Sequence, residues 1–175
     1  MPKSRPHFIT AIAAILLSGA LAAPAYAGQA ELELLASYIG KWSGEGVLEG
    51  GKAPEPFKCR LTIAKGNQTK VNYSGRCTLV NFNLSVAGTI AYDDASQRYQ
   101  AVMSSNAGFT GYAVGVKQGS RILFNLNERE TDRGGNDVRI GSRILLTGEA
   151  ITVDFEVEFN ESGEVLTAVV CASPI

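Results

Sequence analysis

The chain has 175 residues, with 16 Lys and Arg against 17 Asp and Glu, a net charge of −1 and one histidine. That balance, without a basic stripe, excludes the electrostatic footprint of a nucleic-acid binder. The histidine is His7, so residues 28–175 have no Ser-His or Cys-His catalysis, histidine proton shuttle or His-ligated metal or haem.

Residues 1–27 read as a signal peptide. Lys3 and Arg5 form a basic start, residues 8–23 are an uncharged apolar run, and Pro24 precedes the small-x-small box Ala25-Tyr26-Ala27, with cleavage after Ala27. The run is short for a membrane anchor, and no later run is long enough to span a bilayer. No cysteine at the cut offers lipid attachment. The expectation is a periplasmic or secreted protein without a membrane span after signal removal. Residues 28–175 then form one domain, long enough for a single core. With Lys3 and Arg5 gone its net charge is −3. Its three cysteines, Cys59, Cys77 and Cys171, enter an oxidising compartment and allow one bridge and one free thiol.

Residues 29–39 are the helix candidate. Leu32, Leu35, Tyr38 and Ile39 share a face beside Leu34, Glu31 and Glu33 sit near the start where the helix dipole favours them, and Gly40 is a natural stop. The spacing predicts a helix packed on the core. From Trp42, the only tryptophan, the period changes to two. Phe57, Cys59, Leu61 and Ile63 alternate with polar residues, as do Val71, Tyr73, Gly75 and Cys77 after the turn at Gly66-Asn67-Gln68. A register that sets Ile63 opposite Tyr73 sets Leu61 opposite Gly75 and Cys59 opposite Cys77, aligning the apolar faces and predicting a Cys59–Cys77 disulfide. Cys171 is then the free thiol, expected to pack in the interior.

Phe82, Leu84, Val86, Ile90 and Tyr92 follow on one strand face, and further strands run from Arg98 to Met103, Thr110 to Val116 and Arg121 to Leu126. Residues 127–137 form a polar connection whose acidic spacing fits no calcium cage. It reads as a solvated hairpin loop, with a flap over a barrel mouth as the functional alternative. Residues 138–146 and 150–159 form a hairpin about Gly148-Glu149, read as a type II′ turn. Ile144 then opposes Val153, Ile140 opposes Val157 and Val138 opposes Phe159. Outside, Arg143 meets Asp154 and Arg139 meets Glu158, so the alternating acids Asp154, Glu156 and Glu158 read as a solvated ion-pair face and not as paired catalytic carboxylates. The last strand begins at Val165.

About ten consecutive strands after one short helix predict a closed up-and-down antiparallel β-barrel with the first strand beside the last. A sandwich is the second choice. The charged outer face does not suit an outer-membrane barrel.

Gly40-Lys41-Trp42 is a G-x-W at the first strand of such a meander and resembles the calycins. The longer run Gly40-x-Trp42-x-Gly44-Glu45-Gly46 resembles the opening of nitrobindin-type barrels and bacterial lipocalin-like relatives, as does Gly88-Thr89-Ile90-Ala91-Tyr92-Asp93 followed by Arg98-Tyr99. The resemblance implies a ligand-holding barrel. Nitrobindins hold haem through a histidine that residues 28–175 lack, so no cofactor is expected by that route. The arginine that lipocalins place over the tryptophan is also missing from residues 164–171. Periplasmic inhibitors of secreted metalloproteases offer a second resemblance, in a small barrel with an early tryptophan and one disulfide. They act through an N-terminal arm, where this chain has a predicted helix.

The expected inward set contains no charge. Its aromatic members, Trp42, Tyr73, Tyr92, Tyr99, Tyr112, Phe124 and Phe155, are the candidate ligand-binding residues, with Phe82 and Val114 also expected inside. Such an interior suits a small neutral, apolar ligand oriented by tyrosine hydroxyls. A barrel filled by its own side chains, acting by interaction alone, remains the alternative. No nucleophile–base pair, metal set or phosphate loop suggests an enzyme.

Overall fold

From Gly40 onward β-branched and aromatic residues recur at alternate positions, the pattern of strands with one buried face. The computed structural model describes residues 27–80, 82–131 and 134–175. Residues 1–26 of the predicted signal peptide lie outside the described residues. A helix, α1 (Ala27–Ala36), precedes ten strands: β1 (Gly40–Glu49), β2 (Glu55–Lys65), β3 (Lys70–Thr78), β4 (Asn83–Asp93), β5 (Arg98–Ser105), β6 (Thr110–Gln118), β7 (Arg121–Thr131), β8 (Asp137–Leu146), β9 (Ile151–Phe159) and β10 (Val165–Pro174). Each strand pairs antiparallel with its chain neighbours, and β1 pairs with β10, closing the meander into a barrel. Closure removes the free edges that an open sheet would expose. Among the described residues no helix is long and apolar enough to cross a membrane.

The two hairpin registers expected from the sequence are present. In β2–β3, Ile63 faces Tyr73, Leu61 faces Gly75 and Cys59 faces Cys77. The cysteines form a disulfide with Cα atoms 4.0 Å apart. Cys59 shares its strand face with buried Phe57 and Ile63, so the bridge lies on the inner wall. In β8–β9, Val138 faces Phe159, Ile140 faces Val157 and Ile144 faces Val153. Outside, Arg139 pairs with Glu158. The connecting turn is not type II′, because Gly148 is absent from the positive-φ glycines. The Thr147 hydroxyl instead accepts the Ala150 N–H at 2.9 Å and closes the turn.

α1 closes one end of the barrel. Leu35, Tyr38 and Trp42 are buried in the same cluster. The Tyr38 hydroxyl donates to the carbonyls of Leu146 and Ser120 at 3.2 and 3.3 Å, and the Trp42 indole donates to the Tyr38 carbonyl at 3.0 Å. Lys117 pairs with Glu31 at 2.8 Å and fastens the helix to β6. A Cβ on Gly44 would lie 2.7 Å from the Cys171 carbonyl, so glycine is what lets β1 seat against β10 beside this plug.

Several expectations change. The helix ends at Ala36, before Ile39, which is 42% exposed because the chain has already turned into β1. Phe82 precedes β4 and is exposed. Cys171 is exposed on the outer face of β10, since Ala172 and Ala168 take the inward positions. The polar stretch 127–137 is mostly ladder, with Thr131 opposite Asp137. Its remaining turn lies at the end away from the helix, and Asp132 and Arg133 are outside the described residues.

Candidate functional site

The interior holds a cavity of about 300 Å³, lined almost wholly by apolar side chains. Its wall forms because each of several inward-facing pairs contains at least one small residue. Ala101 opposes Ala113, Met103 opposes Gly111, and Leu61 opposes Gly75. Such pairs leave space that Leu84, Val86, Ile144 and Val153 line without filling. The Cys59–Cys77 bridge forms part of the wall, bordered by the exposed, outward-phase residues Arg60 and Arg76.

Of the seven aromatic candidates, Tyr73, Phe124 and Phe155 line the cavity. Tyr73 does not offer it a hydroxyl. Its phenol crosses β4 at Gly88, where a Cβ would lie 2.5 Å from the hydroxyl oxygen, and donates to the Val102 carbonyl at 3.1 Å. Burial pushes the Tyr73 pKa up to about 12. The phenol is held neutral and already used.

Trp42, Tyr92 and Tyr99 belong to the plugged end instead. Trp42 is 3% exposed and held by Tyr38. Tyr99 donates to the Glu31 carbonyl at 3.1 Å and stacks obliquely on Tyr92, with ring centroids 5.1 Å apart. Burial, reinforced by the Glu31 carboxylate, raises the pKa of both. These groups bind the helix to the barrel.

Tyr112 points outward and is 48% exposed, as is Val114 beside it at 44%. Tyr99, Ala101 and Met103 face in, and directly opposed residues share a face, so Gly115, Ala113 and Gly111 must face in as well. The bulkier set of β6 is excluded because the Phe124 ring already occupies that space, 2.5 Å from where a Cβ on Gly115 would stand. The small residues that shape the cavity were not among the sequence candidates. Their signal is the run of small residues at alternate positions of β6, Gly111, Ala113 and Gly115.

The inner face is not free of charge throughout. Along β7 the inward phase continues from Leu126 to Glu128 and Glu130, opposite buried Ile140 and Val138. Both acids lie beyond the cavity, toward the end away from the helix. Among the described residues no group of His, Cys, Asp and Glu could hold a metal ion.

No family model and no curated protein matches the chain. Solved structures that share its fold include two at low sequence identity. Rv2717c from M. tuberculosis has a TM-score of 0.65 at 14% identity, covering 82% of this chain and 96% of its own. The S-type phycobiliprotein lyase CpeS from Guillardia theta has a TM-score of 0.56 at 12% identity, covering 85% and 95%.

Proposed function

We propose that the protein is a lipocalin-like carrier that binds one small, uncharged, apolar ligand inside the barrel and works in the periplasm or outside the cell. The observation that carries this reading is the cavity of about 300 Å³ lined by apolar side chains. That volume accommodates on the order of ten water-sized groups, at the lower end of ligand pockets. An apolar void of this size is costly unless something fills it, since its lining loses dispersion contacts. The G-x-W opening, with Trp42 at the plugged end, supports kinship with the calycin-type barrels. The disulfide and the signal-like leader support an oxidising compartment.

Haem does not fit as the nitrobindin resemblance would place it. Residues 28–175 contain no histidine, and the cavity's phenol, Tyr73, is committed to Val102. The ligand is therefore recognised by shape and apolarity.

The test is native mass spectrometry of the protein purified without denaturation from its own host, with solvent extraction of whatever is bound. A co-purifying neutral small molecule that leaves with 1:1 stoichiometry is expected. A clean apo mass, together with no saturable binding of the neutral fluorophore 1-aminonaphthalene read by energy transfer from Trp42, would sink the carrier reading and leave an interaction or inhibitor role.

A further inference from the structure

The barrel wall has a weak seam. The β6–β7 ladder runs only from Gln118 opposite Arg121 to Val114 opposite Asn125. Both strands continue beyond it, β6 back to Thr110 and β7 on to Thr131. Over those residues β6 still pairs with β5, and β7 with β8, but not with each other. From Val114 to Thr110 the gap is about 13 Å long, at ~3.3 Å per residue. One side-chain hydrogen bond spans its far end, from the Thr110 hydroxyl to the Glu130 carboxylate at 2.9 Å.

The β6 side of this seam is apolar, whereas along β7 Asn125, Asn127 and Arg129 are exposed. Inside, Gly111, Ala113 and Leu126 line the cavity, and a Cβ on Gly111 would only just touch the Leu126 side chain, at 3.4 Å. Outside, Tyr112 and Val114 are exposed, and Val102 faces Tyr112 across β5–β6. An apolar molecule can pass from the outer patch along the β6 side to the cavity when Leu126 swings aside. Two other routes lie at the ends of the barrel. Trp42, Tyr38 and Leu35 plug the helix end. At the other end the half-buried Leu48, Leu79 and Leu84 line the cavity, and this mouth, with Glu128 and Glu130 on one side of it, is the competing route.

We propose that the β6–β7 seam is the door through which the apolar ligand enters and leaves, with Thr110–Glu130 as its latch and Leu126 as its inner leaf. This rests on the carrier reading above. Beyond Val114 and Asn125 the two strands have no paired positions to break, whereas the β1–β10 ladder, which skips Gly46 and Val47, is pinned again where Leu48 faces Ala168. The latch sets how often the seam opens and leaves the bound state untouched.

The test locks and unlatches the seam. Tyr112→Cys and Asn127→Cys place thiols on the outer edges of the two strands. A short bis-maleimide joins them, in a Cys171→Ser background that removes the exposed free thiol. Stopped-flow mixing with 1-aminonaphthalene follows energy transfer from Trp42. Cross-linking is expected to slow association and dissociation together by at least tenfold relative to the same variant without cross-linker, with Kd unchanged within about twofold. Thr110→Val is expected to speed both rates about fivefold, as loss of one hydrogen bond implies. Rates equal in locked and unlocked protein would send the ligand through the open end past Leu48 and Leu84 and overturn the door. Loss of affinity on locking would show that the cross-link acts on the cavity itself and would overturn it too. If the unmodified protein fails to bind the fluorophore, the carrier reading falls first, and the door with it.

Discussion

Replacing Ala113 by leucine tests the cavity from both sides at once. Ala113 is buried on the inner face of β6, opposite Ala101, and borders the space of about 300 Å³. Leucine adds three carbons, which that space accommodates without displacing a neighbour. At ~0.8 kcal/mol per methylene-sized group, the ligand contacts they supplant amount to ~2.4 kcal/mol, or roughly sixtyfold in Kd. The fold itself keeps its stability or gains up to ~2 kcal/mol, because the new methyls leave water for an apolar wall. A filled interior behaves in the opposite way, since inserting three carbons into a packed core costs about 1–3 kcal/mol. Urea unfolding gives the stability, and fluorophore titration through Trp42 gives the affinity. A variant destabilised by that amount would refute the cavity. A variant that is stable yet binds as tightly as the parent would refute its role as the ligand site.

The other predictions concern the frame around the cavity. Cys59→Ala with Cys77→Ala should lower the unfolding free energy by about 3 kcal/mol, the scale for a loop near the 18-residue separation here. Reductant on the parent should reproduce that loss in its urea midpoint. Tyr38→Phe removes the hydroxyl that reaches Leu146 and Ser120, and urea unfolding should show a loss of ~1 kcal/mol with affinity for the fluorophore unchanged. Tyr73 has a folded pKa raised from 10.0 to about 12, so its contribution is fully present below pH 10 and is lost as the pH rises toward 12. Urea midpoints across that alkaline range should fall less steeply for Tyr73→Phe than for the parent.

The fold was legible in the sequence wherever two faces differed in polarity. Cys59 to Ile63 against Tyr73 to Cys77, and Val138 to Ile144 against Val153 to Phe159, each admit one register that buries all their apolar residues. β6 lacks that contrast. Gly111-Tyr112-Ala113-Val114-Gly115 is apolar on both faces, so polarity cannot choose between them, and bulk suggests the wrong one. The choice is made by volume at one position: the Phe124 ring stands where a Cβ on Gly115 would, so that glycine takes the inner face and Ala113 and Gly111 follow in phase. The same non-local packing sorts the aromatics. Trp42, Tyr92 and Tyr99 look like lining residues along their strands, but each lies at the end that α1 covers. The seam between β6 and β7 has no sequence signal, since both strands keep their alternation where their mutual ladder stops.

The position of Tyr73 has a consequence for selectivity. A site with an unsatisfied buried donor rejects any molecule that cannot accept from it, because the unpaired group carries the full desolvation penalty. Here the only cavity-lining phenol among the described residues is satisfied by Val102, through a gap that Gly88 leaves for it. A ligand that offers no hydrogen bond therefore leaves nothing unpaired, and one that offers a polar group to the wall loses its own hydration without return. Discrimination among apolar molecules then rests on fit alone, where one methylene changes the affinity by only about 1–3 kcal/mol. Such a barrel separates apolar from polar compounds sharply and one apolar compound from another weakly. That behaviour suits the proposed carrier, with size set by the space that Ala101, Gly111 and Ala113 leave.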